Sequence, residues 1–91
     1  MLKYTYAPDT IQYAGYTTFS PITLRNRMLG EHEKDNKQYA NPQETASLHG
    51  AAMMVRRDVL QQVGPMTEVY FLFYEEFDWS AQMHRLGYKL W

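Results

Sequence analysis

The stretch Gly50-Ala51-Ala52-Met53-Met54-Val55 constrains the fold more than any other. Its residues are small or apolar without a break, and a run of that character is expected as a strand buried on both faces. The pair Arg56-Arg57 follows at once and marks the return to solvent. Such a strand needs covering neighbours, and a chain of 91 residues supplies few of them. Chains this small bury only roughly 60 to 70% of the surface that their unfolded form exposes.

Composition sharpens the difficulty. Hydrophobic residues make up 45% and aromatics 15%, a heavy load for one small body to cover, so one small domain with apolar surface meant for a neighbour is expected. Nine Lys plus Arg stand against ten Asp plus Glu, for a net charge of -1, and neither sign forms a long run. That sets nucleic acid aside as a partner. The absence of cysteine removes disulfides and thiolate metal sites. No apolar run approaches the roughly 20 residues of a membrane span, since even Val69 to Tyr74 ends in Glu75 and Glu76. Lys3 is followed by no apolar block, so a signal peptide is not expected. Tyr88 to Trp91 reads as the opening of a strand, and both ends look cut, which points to a fragment.

Residues Thr10 to Phe19 mix Ile, Tyr and Thr around Gly15 and fit a short strand entering a bend. Ser20-Pro21, then Ile22, Leu24, Arg25, Met28 and Leu29, predict a short helix stopping at Gly30. Glu31 to Glu44 is polar and holds Pro42, a surface loop. Arg57 to Val63 has Val59, Leu60 and Val63 on one helical face, with Gly64-Pro65 as its stop. Trp79, Met83 and Leu86 form a second helical stripe within Glu75 to Leu86, with Gly87 beyond it.

Chemistry concentrates in Glu75-Glu76-Phe77-Asp78, three acids at a helix start directly after an aromatic run. Two readings compete. Carboxylates in a first helical turn are favoured by the helix dipole in proteins of every function. Alternatively, a carboxylate packed beside Tyr and Phe with a second acid nearby is a usual setting for a general base. His32-Glu33-Lys34-Asp35-Asn36 opens like a zinc-protease motif, but Asn36 stands at the second ligand position, so that reading fails. His32, His49 and His84 are scattered, and the Arg56-Arg57 pair reads as solvated.

The blocks His49 to Gly64, Tyr70-Phe71, Glu75 to Asp78 and Arg85 to Trp91 resemble, in order and spacing, the acceptor-side segment of the family 2 glycosyltransferases, among them the bacterial rhamnosyltransferase-like enzymes. The resemblance covers residues 46–91, and a fainter likeness runs through Ile11 to Gly15 and Lys37 to Tyr39. It implies an α/β fold: a partial GT-A (Rossmann-like) domain of short strands with two or three helices, lacking its N-terminal nucleotide-binding half, in which residues 1–91 form one partial domain. It also implies an inverting glycosyltransferase, a transferase of hexosyl or deoxyhexosyl groups from a nucleotide sugar to a carbohydrate or lipid-linked acceptor in bacterial polysaccharide biosynthesis.

The family's catalytic base falls on Glu76, with Glu75 as second choice, while Gly50, Ala51 and Asp78 line the acceptor cleft. Three positions differ from the family's usual residues: Thr67 for Asp, Glu76 for Asp and Gln82 for Arg. Mg²⁺ or Mn²⁺ is implied for the parent enzyme, but no DxD motif occurs in this chain, so no metal or cofactor is expected on it. The fragment is therefore expected to be inactive alone and to self-associate. Its parent is expected in the cytoplasm, peripheral at the inner face of the bacterial membrane. The competing expectation is a small non-catalytic interaction module using the aromatic run and the Trp79-Met83-Leu86 stripe.

Overall fold

The computed structural model describes residues 1–70 and 74–91. Among them the order of elements is β1 (Leu2–Tyr4), β2 (Ala7–Tyr13), β3 (Gly15–Tyr16), β4 (Met28–Leu29), α1 (Arg57–Val63) and α2 (Glu75–Arg85). The arrangement is small and mixed α/β: β1 pairs antiparallel with β2, β3 pairs antiparallel with β4, and the two helices follow.

The sheet half is built around β2. Strand alternation turns Ile11 and Tyr13 inward. One edge of β2 faces β1, and the other is occupied by the polar segment 32–35. There Ile11 N–H donates to Glu33 O at 2.8 Å, His32 N–H to Ile11 O at 3.0 Å and Asp35 N–H to Asp9 O at 2.8 Å. An ion pair between Lys3 and Asp35 at 2.6 Å ties β1 to the same segment. Gly30 enters that segment with φ +78°, and a Cβ there would lie 3.0 Å from Ala14 Cβ, Ile11 Cγ2 and Tyr39 Cε2. Only glycine fits such a position without displacing its neighbours.

The helical half has its own core of Val59, Trp79, Met83 and Leu90, flanked by Leu48, Met53, Val55, Val63, Met66 and Tyr88. Gly64 at φ +80° ends α1 and Gly87 at φ +86° follows α2, as a glycine beyond a helix end does. The indole N–H of Trp79 donates to Gly64 O at 2.9 Å, fastening the end of α1 to α2. Each short helix buries a narrow stripe. Val59, Trp79 and Met83 are covered, but Leu60 and Leu86, expected on the same faces, are exposed.

Three sequence expectations are corrected. Gly50 to Val55 is not a strand: Gly50 and Ala51 form a turn closed by Ala52 N–H to His49 O at 3.3 Å, and Met53 to Val55 pairs with no strand among the described residues. Without partners, only its inward side chains Met53 and Val55 reach the core, while Met54 is 96% exposed. The helix expected from Pro21 to Gly30 is the loop of the β3–β4 hairpin. Ser20 Oγ takes the N–H groups of Ile22 and Thr23, and Leu24 adopts φ +54°, which a helix does not allow. Tyr88 to Trp91 contributes one isolated bridge, Leu90 to Thr45. Two helices are formed among the described residues. The expected aromatic run Val69 to Tyr74 falls partly on residues 71–73, outside the described residues.

A polar seam joins the halves. Tyr13 O–H donates to Ser47 O at 2.8 Å, Thr45 Oγ1 to the same carbonyl at 2.9 Å, and Tyr16 N–H to Thr45 Oγ1 at 2.8 Å. Ser47 Oγ then reaches Ser80 Oγ on α2 at 3.1 Å. Thr45, Ser47 and Ser80 are all buried, so each bond of the seam replaces water that these groups have lost. Among the described residues no helix is long and apolar enough to cross a membrane.

Candidate active-site cleft

The cleft opens where the two halves meet, at the N-terminal end of α2. Tyr74 precedes the helix with φ +69° and gives it no side-chain cap, so the first turn carries Glu75, Glu76 and Asp78 facing uncapped N–H groups. Glu75 and Glu76 are half-buried and share a cavity of about 560 Å³ with Tyr16, His49, Gly50, Ala51, Tyr74 and Phe77. The Gly50 turn lies beside the acid. A Cβ on Gly50 would lie 3.8 Å from both Cδ and Oε1 of Glu76. One oxygen of Glu75, Oε2, is shielded from solvent and has no hydrogen-bond partner among the described residues. A buried carboxylate oxygen without a partner is costly.

Aromatic rings form the rest of the wall. Tyr16 stacks on His49 with ring centroids 6.5 Å apart and meets Phe77 at 5.1 Å, while Tyr13 meets His49 at 5.1 Å. Burial foremost, then Tyr13 and the carboxylates of Glu76 and Glu31, raise the pKa of the Tyr16 phenol above its ordinary value. It is therefore protonated at neutral pH, a hydrogen-bond donor beside the Glu76 charge. Ala51 N–H donates to His49 Nδ1 at 3.1 Å, which assigns the ring proton of neutral His49 to Nε2.

The structure brings Glu75, Glu76, Gly50 and Ala51 to one cleft. Asp78 sits apart from them. Its carboxylate accepts a 2.7 Å hydrogen bond from Gln82 Nε2 one turn along α2, and it does not line this cavity. Arg56 pairs with Asp58 at 2.6 Å on the surface, His32 stacks on Tyr4, and His84 bonds Ala46 O. Among the described residues no group of three or more His, Asp or Glu side chains is placed to hold a metal ion. Sequence reasoning did not single out Tyr16, His49, Tyr74 or Phe77. His49 and Phe77 adjoin residues that it did select, but nothing along the chain announces that Tyr16 packs against both.

A carboxylate pair beside a side-chain-free turn, walled by aromatic rings, is chemically suited to a polyhydroxylated ligand: carboxylates accept from hydroxyls and rings cover the C–H faces of a sugar. In comparisons with known families, curated proteins and solved structures, the chain finds no match.

Proposed function

We propose that this chain is the acceptor side of an inverting glycosyltransferase, with Glu76 as the general base. The observation that carries the proposal is the position of the Glu76 carboxylate against the Gly50 turn in an open, aromatic-walled cleft. The resemblance of residues 46–91 to the family 2 enzymes supports the same reading. In the proposed reaction the acceptor hydroxyl gives its proton to Glu76 as its oxygen attacks the anomeric carbon. The bond from that carbon to the donor's diphosphate breaks, its electron pair leaves with the diphosphate, and the configuration inverts. Glu75 lines the same cleft as the second carboxylate. The nucleotide sugar and its divalent cation belong, in this proposal, to residues of the parent enzyme outside this chain. The parent acts at the inner face of a bacterial membrane in the assembly of surface polysaccharide.

The test is Glu76→Gln in the parent enzyme. Turnover is expected to fall roughly 100-fold or more while donor affinity stays close to unchanged, because a base acts in the transition state. Glu75→Gln serves as the comparison. If both variants keep more than about a tenth of the activity, the acids are helix-start charges only, and the proposal fails.

A further inference from the structure

Two of the most exposed apolar side chains of the sheet half share one loop, that of the β3–β4 hairpin, while Tyr6 stands apart between β1 and β2. Ile22 is 91% exposed and Leu24 75% exposed, and Phe19 stands half-exposed at the base of the same loop. The loop is built rather than slack. Ser20 N–H donates to Arg25 O and Leu24 N–H to Ser20 O, each at 2.9 Å, while Ser20 Oγ takes the N–H groups of Ile22 and Thr23. Below it, Thr17 N–H donates to Arg27 O at 3.0 Å and Arg27 N–H to Thr17 Oγ1 at 2.9 Å. Leu24 is held at φ +54°, where glycine or asparagine is usual and a bulky apolar residue is uncommon. The turn thus fixes two large apolar side chains outward, and nothing in the described residues covers them.

Charge around the loop is equally one-sided. Residues 10–30 contain no Asp and no Glu, and their only formal charges are Arg25 and Arg27, in a chain whose net charge is -1. Both arginines are exposed, and neither takes part in an ion pair among the described residues. Met54, 96% exposed, lacks this setting, since it lies two residues from an Arg56 already matched by Asp58. Interfacial segments sink apolar groups into the acyl boundary while their cations stay among the lipid headgroups.

We infer that the β3–β4 hairpin tip is a membrane-surface anchor, with Ile22 and Leu24 entering the acyl boundary and Arg25 and Arg27 meeting anionic phosphates. The charges decide for a bilayer over an apolar pocket on another protein: a carboxylate-free tip with two unpaired cations matches a surface of one negative sign. The inference stands on the hairpin alone and is independent of the transferase proposal.

Co-sedimentation of the purified chain with two kinds of vesicle tests it, one of phosphatidylcholine alone and one of phosphatidylcholine mixed with phosphatidylglycerol. Binding is expected to the anionic vesicles only, and to weaken as salt is raised. Arg25→Gln with Arg27→Gln is expected to cost roughly fivefold per arginine, and Ile22→Ser with Leu24→Ser at least about tenfold. Both pairs lie on an exposed loop, so the circular dichroism of α1 and α2 is expected to stay unchanged and shows that the variants are folded. No binding to anionic vesicles overturns the inference and leaves the tip to a protein partner. Equal binding to both vesicles overturns the role of the arginines. Binding that survives the Ile22 and Leu24 changes puts the contact elsewhere and overturns the assignment.

Discussion

The two halves of the molecule are held by different forces. The helical half, residues 46–91, closes over Val59 of α1, Trp79 and Met83 one turn apart on α2, and Leu90, joined by non-directional apolar contact. The sheet half buries only Ile11 and Tyr13 among its large apolar residues and depends on directed bonds: two hairpins, the segment 32–35 along β2, and the seam through Thr45, Ser47 and Ser80. The difference teaches where tolerance lies. Apolar packing survives small shifts at the cost of a cavity, whereas a directed bond is lost when its donor moves by a few tenths of an ångström. The cleft lies on the boundary, taking Glu75 and Glu76 from one half and Tyr16 from the other.

Trp79→Ala is expected to have the largest effect on stability. It removes a buried ring and its bond to Gly64 O, and a cost of about 3–5 kcal/mol is expected from chemical denaturation of the purified chain. That approaches the whole stability of many small domains. A loss below about 1 kcal/mol would break the contrast, because the helical half would not then rest on its apolar core.

Gly30→Ala attacks the sheet half instead. The added methyl meets three atoms at 3.0 Å at a positive φ, so about 1–3 kcal/mol is expected, with faster amide exchange in β2 and slower change in α2. Uniform acceleration in both halves would mean that they unfold as one unit.

Tyr13→Phe tests the seam at lower cost. Ser47 O keeps its bond from Thr45 Oγ1, so no carbonyl is orphaned and about 1 kcal/mol is expected. A null result in the same denaturation experiment would show that the Tyr13 bond contributes nothing to joining the halves.

The smallest effect at neutral pH, and the most selective, is alkaline. Burial foremost raises the pKa of Tyr13 and Tyr16 above the ordinary value of 10.0. A group raised on folding contributes stability that is fully present below its unfolded pKa and is lost as pH rises through its folded pKa. The sheet half is therefore expected to loosen first above about pH 10. Phenolate absorbance followed beside amide exchange in α2 checks this, and simultaneous loss of both would erase the distinction.

Legibility in the sequence follows the same division. α1, α2 and their glycine stops were readable because helical burial repeats locally and Gly64 and Gly87 punctuate it. The loop after Pro21 was misread because Ile22, Leu24, Met28 and Leu29 imitate a helical stripe. Its hairpin is fixed by Thr17 and Ser20 bonding to residues several positions away, which periodicity does not register. At the site, the Glu75 and Glu76 cluster stood out by charge density, whereas Tyr16 did not. Its role comes from packing against residues more than thirty positions away, His49 and Phe77.

What the sequence determined by itself was the chemistry on offer: acids at a helix start, a small-residue stretch at Gly50 and Ala51, and an aromatic surplus with no cysteine. Only the tertiary structure decided that Gly50 to Val55 is not a strand here and that Glu76 lies against Gly50 while Asp78 turns to Gln82. The reason is physical. Residue type and spacing set what a segment can bond to, but a strand needs a partner edge and a cleft needs a second wall, and both are supplied by residues distant along the chain.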